Sequence, residues 1–257
     1  MDTLAFWQQV IIFIIFIWSG FVRSGLGFGG AVLSLPFLLI VTNQPLVFLP
    51  IIAVHLLVFS SLTIVQPWLL GRLKGQSSKA TTHVQWPYLG KILAITLIPK
   101  LIGVLGVLSL PTDLITGFIF FVVLAYGIGY LLQRQLISSH PVVDWLLLIL
   151  GGYVSGTSLI GAPLIIAVMA RQLKREHLRD TLFALWFVLV SIKLIAFAAA
   201  GVDLQWEAHL LLLPAAAIGH LLGLQFHQYS LKVDPKRFMQ WIGGALVVVA
   251  LVGLIRL

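Results

Sequence analysis

Polar residues that could bind a small ion interrupt this apolar chain at two glycine-rich stretches. The first, residues 19–38, reads SGFVRSGLGFGGAVLSLPFL, and the second, residues 151–170, reads GGYVSGTSLIGAPLIIAVMA. Aligned without gaps, Gly29 falls on Gly161. In both stretches small and polar residues separate two apolar runs, which predicts a broken helix at the corresponding place in each half of the chain.

The two breaks predict an anion site. The helix that follows a break begins with unpaired N–H groups and a positive dipole end, and both favour a negative charge. Arg23 adds a full positive charge, and a charge within an apolar segment is usually functional. The alternative is that the glycines only allow close helix packing. The candidate substrate-binding residues at the breaks are Arg23, Ser24, Gly25, Gly27, Gly29, Gly30, Ser155, Gly156, Thr157, Ser158, Gly161 and Pro163.

Two lysines and two histidines lie in other apolar segments. Lys100, in IPKLIGVLG, and Lys193, in VLVSIKLIAF, are further candidates for the anion site, and the alternative is that each reaches a lipid headgroup along its stem. His55 is a candidate proton carrier because imidazole changes its charge near neutral pH. A hydrogen bond to a neighbouring carbonyl is the alternative for His55, and His220 has the same two interpretations.

Enzymatic and nucleotide-binding functions find little support. Residues 25–30 match G-x-G-x-x-G, but no βαβ pattern surrounds them and no acidic residue follows about 20 residues later. The chain has no cysteine, no HExxH and no G-x-S-x-G, and its apolar runs read as free of carboxylates. We therefore expect no enzyme, no cofactor and no metal site.

The composition predicts a membrane protein. The chain is 60% hydrophobic and 9% charged, with a mean hydropathy of +1.08. A soluble domain of this size could not cover so much apolar surface with so few charges. The net charge of +8 fits basic cytoplasmic loops and anionic lipid better than nucleic acid, for which no motif is present. The N-terminal apolar run lacks a basic start, so we expect it to be retained as a helix.

The apolar runs predict an all-α polytopic membrane protein with a boundary near its middle. The polar linker 134–141 separates a first half, residues 1–133, from a second half, residues 142–257. Helices are expected at 4–22, 31–41, 46–66, 87–109, 114–133, 142–155, 162–170, 181–200, 205–226 and 238–255.

The charges of the loops predict how the two halves are oriented. The turns 111–113 and 201–207 carry acidic residues and no Lys or Arg, so we expect them outside the cell. The segment 142–170 must then enter and leave from the cytoplasm, and the segment 4–41 from the outside. Each half becomes a broken or V-shaped helical hairpin plus three transmembrane helices, in two inverted-topology repeats with both termini outside. The basic loops expected in the cytoplasm are 71–79, 134, 171–179 and 232–237.

The paired stretches resemble the motifs of the TauE/SafE family of sulfite exporters. The family pattern is a glycine-rich break followed by a turn and an apolar helix, once in each half. The matching positions are residues 25–30 with Pro36, and residues 151–161 with Pro163. The stretches RQLKREHLRDTLFALWF and LPAAAIGHLLG also look similar to the family, so the resemblance covers nearly the whole chain.

The resemblance implies a bacterial cytoplasmic-membrane transporter that exports sulfite or an organosulfonate. The paired breaks favour a secondary transporter that works by alternating access. No ATP-binding motif is present, so we expect the energy to come from an ion gradient or from the gradient of the substrate. The expected partners are a small anionic substrate and the lipid bilayer, and the small-residue helix faces permit a homodimer. The alternatives are a passive anion channel, and a non-transporting membrane scaffold or enzyme.

Overall fold

The computed structural model describes residues 4–26, 30–73, 84–134, 140–230 and 235–257. These residues contain ten α-helices and no strand, which confirms the all-α fold. Six of the helices are long and apolar enough to cross a bilayer, so the chain is a polytopic membrane protein. The helices are α1 (Phe6–Leu26), α2 (Gly30–Val41), α3 (Pro45–Leu73), α4 (Trp86–Ser109), α5 (Thr112–Leu131), α6 (Pro141–Ser158), α7 (Ala162–Gln172), α8 (Arg175–Ala199), α9 (Trp206–Ser230) and α10 (Pro235–Ile255).

Several predicted helix boundaries are wrong. The largest difference beyond the breaks is in α3, which was expected to end at residue 66 and continues to Leu73, and α9 and α10 are extended by four and three residues toward each other. α1 continues past residue 22 to Leu26, so Arg23 and Ser24 lie in its last turns, and α6 continues past residue 155 to Ser158. The polar residues at the end of α6 extend the helix because their hydroxyls bond to its own carbonyls, as Ser158 Oγ does to the Val154 oxygen at 2.8 Å. The predicted loop 171–180 is also shorter, since α8 already begins at Arg175.

α1 and α2 form one hairpin, and α6 and α7 form another. The Gln8 side chain donates to the Val41 carbonyl at 3.2 Å, which joins the start of α1 to the end of α2. In the second hairpin, the carboxylate of Asp144 accepts hydrogen bonds from Arg171 and from Gln172, which joins the start of α6 to the end of α7. Each hairpin therefore begins and ends at one end of the helix bundle.

Asp144 also corrects the expectation that the apolar runs contain no carboxylate. It lies in the first turn of α6 and its side chain is buried. The ion pair with Arg171 compensates its charge. The sequence pattern hides this pairing, because 27 positions separate the two residues and only the hairpin brings them together.

The opposite end of the bundle is held by a separate polar contact. The side chain of Asn43, between α2 and α3, donates to Asp113 at 2.8 Å and accepts from Thr116, both in α5. We call this the Asn43 end, and we call the end that carries the Asp144–Arg171 pair the Asp144 end. The α1–α2 hairpin thus opens at the Asn43 end and the α6–α7 hairpin at the Asp144 end.

α4 and α6 approach each other closely through glycines. A Cβ atom on Gly152 would lie 2.6 Å from the carbonyl oxygen of Thr96, and one on Gly156 would collide with the backbone of Lys100. Because the matched positions rise together in number, the two helices run parallel. Helix packing is therefore an observed role of both glycines.

α1 pairs with α9 in the same parallel manner. Gln9 and Trp206 line one cavity near the start of both helices, and a Cβ atom on Gly20 would collide with the backbone of Ala216 further along. α5 and α10 run antiparallel, because α5 begins near the last residue of α10 and ends near its start. Buried apolar side chains from all ten helices form one core between these pairs.

Substitution of Gly103 by alanine is expected to destabilise the α4–α6 pair. A Cβ atom there would collide with the backbone of α6 at Tyr153 and Thr157, and overpacking of this kind costs about 1–3 kcal/mol. Gly90 lies in the same helix with no atom within 4 Å of a new Cβ, so Gly90→Ala should be neutral or stabilise by about 0.5–1 kcal/mol. Thermal unfolding of both variants in detergent checks the difference, and equal melting temperatures would contradict it.

Candidate functional site

Arg23 is a buried cation at the first break. It lies in the last turn of α1, and its guanidinium carbon is 4.1 Å from the centre of the Phe59 ring on α3. One terminal nitrogen, Nη1, is 3.5 Å from the His55 carbonyl oxygen, while Nε and Nη2 are buried and make no hydrogen bond to any described residue. No carboxylate in the described parts of the chain pairs with Arg23. The guanidinium therefore has two free donors inside the membrane protein.

Gly30, at the end of the first break, lies beside the Arg23 side chain. Gly30 begins α2, and a Cβ atom on it would lie 3.1 Å from the Arg23 Cβ. Ser34 donates to the Gly30 carbonyl at 2.6 Å. Gly27 and Gly29 lie outside the described residues. The start of α2 is thus placed beside Arg23, as expected of a site that uses a helix N-terminus.

Two histidines, His55 and His220, lie beside Phe59, and a third, His209, lies next to His55. His220 on α9 has its ring 5.2 Å from that of Phe59, and its Nδ1 hydrogen-bonds to the hydroxyl of Ser24. The His55 ring lies 5.3 Å from the His209 ring, and His55 Nε2 and His209 Nδ1 are buried without a partner among the described residues. These histidines are scattered in the sequence, and the packing of α3 and α9 beside α1 brings them together.

Lys100 and Lys193 are both fully buried at the end of α6. The Lys100 ammonium donates to the hydroxyl and the carbonyl of Ser155 at 3.0 and 3.4 Å. The Lys193 ammonium donates to the carbonyls of Gly156 and Thr157 at 2.6 and 3.1 Å. The C-terminal carbonyls of a helix lack intrahelical partners and carry the negative end of its dipole, which suits these cations. Neither lysine reaches a lipid headgroup, so that alternative is wrong for both.

The second break itself is short. Leu159 follows α6 with a left-handed φ of 61°, and its N–H donates to the Ser155 carbonyl. α7 then begins at Ala162, with Gly161 before it and Pro163 in its first turn. A Cβ atom on Gly161 would collide with the Gly151 carbonyl, so this glycine also has a packing role in the hairpin.

The predicted residues thus form two groups. The first group contains Arg23, Ser24, Gly30 and His55, and the second contains Lys100 and Lys193 with the last turn of α6. No hydrogen bond between described residues joins the two groups. The side-chain surroundings of Gly25 also lie outside what the structure describes, although its backbone continues α1.

Sequence reasoning missed Phe59 and His209. Phe59 could have been identified from its spacing, because it lies one helical turn after His55 and therefore on the same face of α3. His209 gives no such signal, because only the packing of α9 brings its ring to His55. Among the described residues, no group of three His, Asp or Glu side chains is arranged to hold a metal ion.

Comparison with known proteins gives one match. A family model described as "Sulfite exporter TauE/SafE" matches residues 12–254, which is nearly the whole of the 257-residue chain. The match includes the first hairpin from residue 12 onward, the whole second hairpin, both breaks and every residue of the two groups. No curated protein and no solved structure matches the chain significantly.

Proposed function

Because the chain belongs to the sulfite exporter TauE/SafE family, we propose that it exports sulfite or an organosulfonate across the bacterial cytoplasmic membrane. The observation that carries this proposal is Arg23, a buried cation with two free donors and no described counter-ion. An uncompensated charge inside a membrane protein is costly and is usually functional. An anionic substrate supplies the missing negative charge.

The chemistry around Arg23 suits an oxyanion. The planar fork of a guanidinium binds two oxygens of one group at once, which sulfite and sulfonate groups both offer. The N-terminus of α2, which begins at Gly30 beside Arg23, adds N–H donors and a positive dipole end. In this proposal the N-terminus of α7 and the hydroxyl-bearing last turn of α6, residues 155–158, form the other wall of the site.

We propose that residues 1–133 and 142–257 are inverted repeats joined by the linker 134–141. When α1 to α5 are matched in order to α6 to α10, the α1–α9 pair corresponds to the α6–α4 pair, and both are parallel. α5 and its counterpart α10 pack antiparallel, as an in-plane two-fold axis requires. The two hairpins open at opposite ends of the bundle. Alternating access would then move one repeat against the other around the breaks.

The charges at the two ends support an orientation in the membrane. Arg134 and Arg171 lie at the Asp144 end, and Asp113 lies at the Asn43 end. Basic loops stay in the cytoplasm, so the Asp144 end is cytoplasmic and both termini are external in this proposal. Of the basic loops predicted at 71–79 and 232–237, residues 74–79 and 232–234 lie outside the described residues, and the remaining residues belong to the end of α3 and the start of α10.

Ligand-induced stabilisation of the purified protein tests the proposed substrate class. Binding to the folded state raises the melting temperature by mass action, so sulfite, sulfoacetate or taurine should raise it while phosphate and acetate should not. Efflux from proteoliposomes should saturate with substrate concentration. Efflux that rises without saturation would favour a channel, and the absence of both stabilisation and efflux would favour a scaffold.

His55→Gln is expected to remove the pH dependence of transport. A proton on His55 would place a second positive charge near Arg23 and His209, which is unfavourable unless an anion is bound between them. Anion binding and proton uptake therefore strengthen each other, as thermodynamic linkage requires. Wild-type binding should tighten as pH falls through neutrality, whereas the variant should bind equally across that range.

Sulfoacetate titrations followed by calorimetry between about pH 6 and pH 8 measure this dependence, because that range brackets histidine titration and the charge of sulfoacetate, unlike that of sulfite, is constant within it. His140→Gln, at an exposed position before α6, is the matched control and should behave as the wild type. A His55→Gln variant that keeps the full pH dependence would contradict proton coupling through His55 but not anion binding at Arg23.

A further inference from the structure

A separate crevice of about 740 Å³ lies between α5, α6, α7 and α10. Its walls are mainly apolar and include Leu147, Leu164 and Ala167. Leu150, at one edge, is 51% exposed, so the crevice opens on the side of the bundle that faces the bilayer. In a membrane, an apolar opening of this kind is in contact with lipid chains rather than water.

One end of the crevice is cationic. Arg134, just after α5, and Arg171, at the end of α7, both line it at the Asp144 end. Arg171 is paired with Asp144, whereas no described residue bonds to the Arg134 side chain, which is exposed. Two arginines and one carboxylate leave a net positive charge at this mouth.

The Tyr126 side chain forms part of the wall of the crevice. It is only 5% exposed, and its hydroxyl is buried, so a ligand in the crevice would contact the ring and not the hydroxyl. Tyr126 therefore adds to the apolar lining.

We propose that this crevice binds an anionic phospholipid, with an acyl chain between the apolar walls and the headgroup at Arg134 and Arg171. Basic pockets between helices at the cytoplasmic face suit such headgroups. A small oxyanion would meet mainly apolar walls beyond the mouth, so the charge pattern favours an amphiphile.

The crevice lies beside the second hairpin, so a bound lipid would contact that hairpin. Pro163 and Leu164, in the first turns of α7, are part of its lining. A bound lipid would therefore contact the arm of the second hairpin directly after the break. The proposal does not depend on which anion the chain transports, because no residue of the Arg23 group lines the crevice.

Lipid-dependent stability in neutral detergent tests the proposal. Phosphatidylglycerol added to the delipidated protein should raise the melting temperature by about 3 °C or more, and phosphatidylcholine should raise it less. Inorganic phosphate at the same concentration should give no shift, which separates a lipid headgroup from a free anion. Native mass spectrometry should retain phosphatidylglycerol in preference to phosphatidylcholine on the intact chain.

Two variants probe the two ends of the crevice. Arg134→Gln should lose most of the preference for phosphatidylglycerol, whereas Arg256→Gln, an exposed arginine near the Asn43 end, should keep it. Tyr126→Phe should raise the melting temperature equally with and without lipid and keep the preference, because the hydroxyl is buried out of reach of the lipid.

Three results would overturn the proposal. The first is equal stabilisation by the two lipids. The second is an Arg134→Gln variant that is folded, as judged by size-exclusion chromatography, and still prefers phosphatidylglycerol. The third is a dimeric mass without bound lipid, which would assign the crevice to a second copy of the chain.

Discussion

Arg23→Gln should strongly weaken anion binding while making the anion-free protein more stable. Truncating one partner of a buried, hydrogen-bonded charge pair costs about 2–5 kcal/mol, so affinity for sulfite should fall by about 30-fold or more. Without anion, the guanidinium is a buried charge with two unpaired nitrogens, and a neutral amide removes that charge. The melting temperature of the empty variant should therefore rise above that of the empty wild type.

A lower affinity for the anion together with a higher melting temperature of the anion-free protein distinguishes a binding role of Arg23 from a structural one. Isothermal titration with sulfite and thermal unfolding of the anion-free protein measure the two effects separately. Arg179→Gln is the matched control, because Arg179 also lies over a phenylalanine ring, at 5.7 Å from the centre of Phe183, but is exposed. An Arg23→Gln variant that is less stable and binds sulfite normally would show that Arg23 only supports the fold.

Lys193→Met should have the opposite effect on stability. The Lys193 ammonium is fully buried and satisfies two carbonyls at the end of α6, those of Gly156 and Thr157. Methionine has a similar length but cannot donate, so both carbonyls would be left unpaired inside the membrane. Each unpaired group costs about 1–3 kcal/mol, and we expect a net loss of about 2–4 kcal/mol.

Thermal unfolding in detergent should show this loss as a fall of about 4 °C or more in melting temperature. Lys91→Met is the control, because Lys91 lies on α4 with an exposed side chain and should tolerate the change. A Lys193→Met variant as stable as the wild type would mean that the α6 carbonyls find other partners. The contrast between Arg23 and Lys193 thus depends on how many hydrogen bonds each buried cation makes.

Sequence periodicity and composition predict most of the secondary structure correctly. All ten predicted helices are present, because a long apolar run in a chain with few charges can only cross a bilayer as a helix. The errors are in the helix ends: α3 and α8 extend into segments whose polar residues suggested loops, and α1 and α6 extend into segments where glycine and hydroxyl residues suggested a break. Those residues stay helical because their polar groups bond within the helix or to a neighbouring helix, as Ser158 and Ser24 do.

The candidate site was only partly predictable. Arg23, Lys100 and Lys193 stand out in sequence because charges are rare in apolar runs. The partners of these three cations cannot be read from the sequence, because a charge gives no information about the group that it contacts. Lys100 and Lys193 donate to carbonyls of α6, and Arg23 lies over an aromatic ring. These contacts depend on how α3, α4 and α8 pack against the hairpins.

The membrane class, the helices, the two glycine-rich breaks and the resemblance to the TauE/SafE family can all be read from the amino-acid sequence. These are local properties, set by hydropathy over about 20 residues and by short motifs. The fold is needed to see that two Arg23 nitrogens lack a partner among the described residues, that His55 and His220 lie near Arg23, and that Asp144 is paired with Arg171. Such contacts join residues far apart in the chain, and the close approach of particular helices, through glycines such as Gly20 and Gly156, is what creates them.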